Sequence, residues 1–215
     1  MLIFGHTGIT LGTALLGNTA LRKGYARRDG KGKAGTPPRR SLEAEPAQNA
    51  LSSDRVWQIT SLGNRIDTRV LLIGSLLPDI IDKPVGQFFF RDIFSNGRIF
   101  CHTIIFLLLI ALIGIYLYRS RGKTWLLTLG FGTFTHLILD QMWLTPQTLL
   151  WPLYGFAFEK LDLTSWTQNI FYALYTDPVV YVPELLGIVI LVWFGLVLVR
   201  KRKLHCFIKS GQVML

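Results

Sequence analysis

The sequence predicts an all-α, polytopic membrane protein: a bundle of about five transmembrane or half-membrane helices with further helices at the membrane interface. Half of the 215 residues are hydrophobic, and the mean hydropathy is +0.38. Long apolar runs alternate with basic connections, and 14 Phe, 7 Tyr and 6 Trp suit a protein with a large interfacial surface. We therefore treat residues 1–215 as a single membrane domain.

The formal net charge of +10 is high for a chain of this size. In a soluble protein it would suggest a nucleic-acid partner. Here most of the Lys and Arg lie between apolar segments, where orientation in a membrane explains them more simply. We expect membrane lipids as partners and no nucleic acid.

Five apolar segments are candidates for membrane crossings: 4–21, 68–81, 99–118, 124–144 and 178–199. The first two are shorter than the roughly 20 residues that a full crossing needs. Residues 22–65 are basic and rich in Gly and Pro, which predicts a mobile cytoplasmic loop. Residues 85–97 have the composition of an interfacial segment. The aromatic-rich residues 145–177 predict an extracytoplasmic interfacial or lid segment, with a helix over 164–175.

The basic residues also predict the orientation of the chain. If the five segments cross in alternation, one side of the membrane carries most of the Lys and Arg, and the other side holds only Lys83, Arg91, Arg98 and Lys160. The side rich in positive charge is cytoplasmic in membrane proteins. The sequence therefore predicts an integral, multi-pass plasma (inner) membrane protein with its N-terminus outside and its C-terminus in the cytoplasm.

His136 and Asp140 lie four residues apart, so they share one face of a helix inside an apolar segment. The predicted topology brings four more candidate ligands to the same outer layer: His6, Asp79, Asp82 and His102. Each alone has a structural interpretation, such as a helix-end acid. Together, buried carboxylates need neutralising cations. A mixture of His and Asp suits Zn²⁺ first, with Mn²⁺ or Fe²⁺ as alternatives, and six donors allow one or two ions.

Charge predicts the kind of substrate. Two divalent ions would outweigh the three aspartates slightly, and Arg98 lies nearby, so a phosphate-containing anion would be favoured. A metal-activated water would be the nucleophile. Glu184, inside the last apolar segment, has two interpretations that the sequence leaves open: a general base or extra ligand at the site, and a helix-packing acid.

Four motifs in chain order resemble the YdjM-like family of membrane-bound metal-dependent hydrolases. They are Gly5-His6-Thr7-Gly8, residues 74–82, residues 98–103 and residues 136–140. The resemblance implies a small helical inner-membrane protein and carries over the six metal ligands named above. The ligand pattern is similar in kind to that of helical zinc-dependent phospholipase C and nuclease enzymes. Cys101, where the family has Thr, and the long basic insert after the first segment depart from the family pattern.

The resulting hypothesis is a membrane-embedded hydrolase, acting on a phosphate ester of a lipid or lipid-linked substrate at the extracytoplasmic leaflet. One alternative is a metal or proton transporter that uses the same His and Asp side chains. Transporters usually place such sites near the midplane between repeated halves, and this sequence has no visible repeat. The other alternative is a non-catalytic protein with a structural metal site, against which the excess of ligands over four argues.

Overall fold

The computed structural model describes residues 2–32, 66–155, 158–160 and 166–211, and within these ranges it contains helices, turns and loops but no strand. The helices in chain order are α1 (Ile3–Gly32), α2 (Thr68–Pro84), α3 (Arg91–Phe94), α4 (Ile104–Arg121), α5 (Trp125–Leu139), α6 (Pro146–Leu149), α7 (Trp166–Thr176), α8 (Pro178–Arg200) and α9 (Leu204–Ser210). A π-helical turn (Val85–Phe89) follows α2, and a 3₁₀ turn (Met142–Leu144) follows α5. The predicted all-α class is confirmed.

The start of α4 differs from the prediction. The helix begins at Ile104 rather than at residue 99, because Thr103 is extended and its hydroxyl accepts the N–H of Phe106 as an N-cap. His102 therefore lies in the loop that enters α4 and not in the first helical turn.

The end of α5 also differs. The predicted segment ran to residue 144, but the helix ends at Leu139, because Gln141 adopts a left-handed conformation with φ of 52°. Asp140 is the residue that closes the helix, and its N–H bonds to the carbonyl of His136. His136 is thus in the last helical turn, closer to the helix end than predicted.

The first helix is longer than its apolar sequence suggests. α1 continues to Gly32, past residue 22, where the basic loop was expected to begin. Ala, Arg and Lys in this stretch are good helix formers, which is a local reason for the extension. The remainder of that predicted loop, residues 33–65, lies outside the described residues.

Glycines allow two pairs of helices to cross with direct backbone contact. On α1 and α8, Gly8 and Gly187 face each other so closely that a Cβ on either would collide with the other helix. On α2 and α5, a Cβ on Gly132 would lie 2.7 Å from the backbone of Gly74. Gly17, further along α1, faces open space. Small residues at such crossings are typical of membrane helices, because they let backbones approach.

α5 is the central helix, since α1, α2 and α4 all pack against it. An apolar cluster of Leu11, Phe194 and Leu198 fills the contact between α1 and α8. Earlier on these two helices the buried side chains include His6 and Glu184. One end of the bundle therefore has an apolar interior and the other a polar one.

Within the described ranges, α4 and α8 are long and apolar enough to cross a membrane. Exposed side chains such as Leu112 (62%) and Val189 (63%) show that their apolar faces point outward. α5, also apolar, has 15 residues, and α2 has 17. Five crossings were predicted; the described helices support two by length and composition, and the count of five is not confirmed.

Candidate metal centre

The loop that enters α4 is folded around one carboxylate. Asp82, buried on α2, accepts the backbone N–H groups of Ile99 (2.9 Å), Cys101 (3.0 Å) and His102 (3.2 Å), and it lies 2.8 Å from His102 Nδ1. Because this carboxylate serves as an acceptor throughout, His102 Nδ1 carries the proton of the last contact. The neutral ring then presents an unprotonated Nε2 to the interior. A carboxylate that orients a histidine in this way is typical of metal sites.

A backbone carbonyl orients the second histidine in the same sense. His136 Nδ1 lies 2.7 Å from the carbonyl oxygen of Ser75 on α2. A carbonyl oxygen can only accept, so Nδ1 is the donor and the neutral ring has its lone pair on Nε2. The Nε2 atoms of His102 and His136 are 3.2 Å apart. Two lone pairs that face each other at this distance repel unless a proton or a metal ion lies between them.

Two carboxylates complete the group. Asp79 Oδ1 lies 3.6 Å from His102 Nε2 and 3.9 Å from His136 Nε2. Asp140 Oδ2 lies 3.8 Å and 4.0 Å from the same two atoms. All four donor atoms fall within 4.8 Å of one another, and all four residues are buried. A tetrahedral ion with ligands at about 2.0–2.1 Å separates its donors by roughly 3.3 Å. The group could therefore hold a metal ion after small movements of the carboxylates.

His6 lies beside this group. It is fully buried on α1, and its ring stacks on that of His136 with centroids 4.1 Å apart. His6 Nε2 is 3.1 Å from Asp140 Oδ1, an ion-pair distance, and Nδ1 has no hydrogen-bond partner within the described part of the chain. A buried polar atom without a partner is costly. The Nδ1 atom of His6 is thus a further indication that a polar ligand belongs beside this group.

The structure brings four of the six predicted ligands into one group and sets His6 against it. Asp82, the sixth, stands behind His102, and its oxygens accept hydrogen bonds from the loop. In this geometry Asp82 is not one of the four donors.

Glu184 caps the start of α1. Its Oε1 accepts the N–H of Leu2 at 2.6 Å, and its Oε2 accepts that of Phe4 at 3.1 Å. A buried acid at a helix N-terminus satisfies otherwise unpaired amides and complements the helix dipole. These contacts are those of a helix-packing acid, the second of the two interpretations left open by the sequence, and Glu184 is not among the four donors.

A cavity of about 350 Å³ opens onto the two carboxylates of the group. Two cations line it: Lys83 Nζ lies 2.7 Å from Asp79 Oδ2, and Arg98 Nε lies 2.9 Å from Asp140 Oδ2. Their side chains are 35% and 40% exposed. The donor group is therefore open on one side, and at the mouth on that side two partly exposed cations lie beside its carboxylates. Arg98, a predicted site residue, lies at this mouth.

Lys83 and Ser75 were not predicted as site residues. Lys83 follows Asp79 by four residues, a spacing that predicts an ion pair on one face of a helix, so the sequence carried that signal. Ser75 acts through its backbone carbonyl, and no side-chain pattern indicates such a role.

The apolar outward faces of α4 and α8 and the buried donor group are those of an integral membrane protein with a site that could hold a metal ion. The chain matches the family model described as YdjM inner membrane protein over residues 47–205, and it belongs to that family. No curated protein and no solved structure matches the chain. The family resemblance inferred from the motifs is thereby confirmed, and the inner membrane is the location that the family indicates. His6 precedes the matched residues.

Proposed function

We propose that this protein is a membrane-embedded, metal-dependent hydrolase that acts on a phosphate ester of a lipid or lipid-linked molecule at the extracytoplasmic leaflet. The observation that carries this proposal is the convergence of four buried donor residues, two of which, Asp79 and Asp140, also line an open cavity with cationic residues in its wall. Structural metal sites are usually closed by protein ligands, whereas catalytic sites keep a position open for water or substrate.

Asp79, His102, His136 and Asp140 would hold the ion. Two imidazoles with two carboxylates favour Zn²⁺, with Mn²⁺ or Fe²⁺ as alternatives. When bound, such an ion polarises an ester and makes water a nucleophile near neutral pH. Asp82 acts as the orienting partner of His102 in this proposal, because its contact at Nδ1 keeps the opposite nitrogen directed at the group.

His6 is suited to handle a proton in the reaction. Its Nδ1 has no hydrogen-bond partner within the described ranges, and its Nε2 lies 3.1 Å from Asp140, which faces the cavity. A general base needs a free lone pair within reach of the reacting group. Glu184 would support this role indirectly, since it fixes the start of the helix that carries His6.

The charge balance favours an anionic substrate. Around the buried donor group, Asp79, Asp82 and Asp140 carry three negative charges, while Lys83, Arg98 and one divalent ion would carry four positive ones. Glu159 also lines the cavity, but it is exposed, so solvent screens its charge. A phosphate ester would therefore be attracted to the mouth, where Arg98 can contact its oxygens. We further propose a multi-pass topology with the N-terminus outside, which the distribution of Lys and Arg supports and which directs this mouth to the extracytoplasmic side.

Metal content and hydrolysis test the proposal together. Full-length protein purified without chelators should contain about one equivalent or more of a divalent transition metal and should release product from phosphomonoesters or phosphodiesters of lipids. His136→Ala and Asp79→Asn should lose both properties. His205→Ala, an exposed histidine on α9, is the matched control and should keep both. Wild-type protein without stoichiometric metal would refute the proposal. Metal binding without turnover on any phosphate ester would indicate a structural site instead.

Cysteine labelling tests the proposed topology. In a Cys206→Ser background, which removes the exposed native thiol, Gly30→Cys should react with membrane-impermeant reagents only after the cytoplasmic face is opened. Labelling of this position in intact cells would contradict an outside N-terminus.

A further inference from the structure

The cavity beside the donor group has walls of two different chemistries. On one wall are the cations Lys83 and Arg98, each held against a carboxylate that also faces the donor group. Both side chains remain partly exposed, so they can accept a second anionic partner in addition to the carboxylate. Arginine and lysine that converge on one space are the usual ligands of phosphate oxygens.

The position of Arg98 is fixed by its turn. The side chain of Asn96 is buried; its Oδ1 accepts the N–H of Arg98 at 2.9 Å, and its Nδ2 donates to the carbonyl of Glu159 at 2.7 Å. The carbonyl of Asn96 also packs onto Gly86, where a Cβ would collide with it. The cationic wall is thus built on a braced backbone. Glu159 lines the cavity as well, but it is exposed to solvent.

A second wall of the cavity comes from α7 and α8 and is largely apolar. Ile170 and Ala173 on α7 and Val180 on α8 line the cavity here, and Asn169 is the polar residue of this wall. The other face of α7 exposes Tyr172 (71%) and Tyr175 (90%), so this helix separates the cavity from the surroundings with aromatic side chains outward. Exposed aromatic residues of this kind are typical of the membrane interface. A hydrocarbon chain inside the cavity could lie along Ile170, Ala173 and Val180 and bury its apolar surface there.

We propose that this cavity binds a phosphate-headed amphiphile in one orientation, with the phosphate between Lys83 and Arg98 and the hydrocarbon chain against Ile170, Ala173 and Val180. This inference rests on the proposed function in treating the bound phosphate as part of a substrate, but the binding itself does not require turnover. It gives Lys83 a role in recognition and α7 the role of a chain-binding wall. Free phosphate would occupy only the cationic part of such a site.

Binding of two phosphonates tests the orientation, because a carbon–phosphorus bond is not hydrolysed as an ester. Decylphosphonate and methylphosphonate are titrated calorimetrically into metal-loaded, full-length protein in a neutral detergent. We expect decylphosphonate to bind at least tenfold more tightly than methylphosphonate. The double variant Lys83→Gln, Arg98→Gln should weaken both ligands at least tenfold, with metal content measured to show that the donor group is intact.

The apolar wall is tested on α7. Ala173→Trp places a large side chain over the apolar wall only, and it should weaken decylphosphonate at least tenfold while leaving methylphosphonate unchanged. Ile170→Asp provides a second test of the same wall if the Trp variant folds poorly. Tyr175→Trp on the exposed face of α7 and Arg91→Gln, an exposed cation of α3, are the matched controls and should bind both ligands as the wild type does.

Two results would overturn this inference. Equal affinity for both phosphonates, unaffected by Ala173→Trp, would show a site for free phosphate. Decylphosphonate binding that survives the loss of both cations would show simple partition into an apolar surface. If the phosphonates bind as expected but no ester is hydrolysed, the proposed function fails while the binding site stands. If esters are hydrolysed but the phosphonates do not bind in the expected pattern, the proposed function stands and this inference fails.

Discussion

Replacing Asp82 by Asn distinguishes an orienting carboxylate from a metal ligand. The substitution keeps the size of the side chain and removes its charge. Asn retains one acceptor oxygen, which can accept hydrogen bonds from Ile99 N–H and His102 Nδ1–H. Its NH₂ group would face the N–H of Cys101, and because both groups are donors that hydrogen bond is lost. The charged acceptor of His102 becomes a neutral one, and hydrogen bonds to charged groups are stronger by about 1 kcal/mol. The ring of His102 should therefore be held less firmly.

The expected size of the effect follows from these contacts. Loss of a partner that orients a metal ligand typically lowers metal affinity by about 10- to 100-fold, or roughly 1.4–2.7 kcal/mol. Loss of a direct ligand should weaken metal binding more. A zinc-binding free energy of roughly 10–16 kcal/mol, divided among four ligands, gives about 2.5–4 kcal/mol for each. Asp82→Asn should thus weaken the metal less than Asp79→Asn does.

Competition with a chromophoric zinc chelator measures both affinities in detergent-purified protein, and the visible spectrum of the Co²⁺ form reports the donor set. Asp82→Asn should keep the wild-type Co²⁺ spectrum, and Asp92→Asn, an exposed acid on α3, should behave as wild type in both assays. A loss for Asp82→Asn as large as that for Asp79→Asn, with an altered spectrum, would show that Asp82 is a ligand. Unchanged affinity would refute its orienting role.

Three further outcomes can be checked by thermal unfolding in detergent. Gly8→Ala should lower stability by about 1–3 kcal/mol, because its Cβ would collide with α8, whereas Gly17→Ala adds a Cβ in open space and should not destabilise. Glu184→Ala should cost about 1–3 kcal/mol, because it leaves two N–H groups at the start of α1 without their acceptor. The Arg69 side chain donates to Asp67 and lowers the pKa of that carboxyl, so the ionised form stabilises the fold. Asp67→Asn should cost at most about 1 kcal/mol at neutral pH, since the pair is partly exposed, and its difference from wild type should vanish as the pH falls below the unfolded value of 3.8 and through the folded pKa.

Each of these outcomes has a contrary result. Equal melting temperatures for Gly8→Ala and Gly17→Ala would contradict the backbone contact between α1 and α8. If Glu184→Ala keeps its melting temperature and its metal but loses hydrolysis, then Glu184 is a base and not a cap. A constant difference between wild type and Asp67→Asn from pH 7 to pH 3 would exclude the Asp67 carboxylate as its cause.

Side-chain patterns indicated much of the candidate site before any fold was known. The spacing of His136 and Asp140 is readable because helical geometry alone puts such residues on one face. Their contact with His102 and Asp79 joins three separate parts of the chain, and it followed from a predicted topology combined with the cost of buried charge. What each of these residues contacts within the site could not be predicted in this way, because hydrogen-bond partners depend on distances of a few tenths of an ångström.

The boundaries of the helices show the limits of hydropathy. Two polar residues lie at the true start of α4 and two at the true end of α5, but apolar residues resume beyond them, so hydropathy averaged over a segment does not mark either boundary. Local backbone geometry sets both boundaries: the N-cap at Thr103 starts α4, and the left-handed Gln141 ends α5. Both boundaries matter for function, since they place His102 in a loop and Asp140 at a helix end.

The amino-acid sequence determines that this chain is helical, suited to a membrane and supplied with an unusual set of His and Asp, because these properties follow from residue type and spacing. The tertiary structure decides which of them share a donor group. Asp79 and Asp82 are three residues apart on α2, yet Asp79 faces the Nε2 atoms and Asp82 accepts a hydrogen bond from His102 Nδ1. That difference arises from how the loop before α4 folds around Asp82, and such a long-range contact leaves no periodic pattern in the sequence.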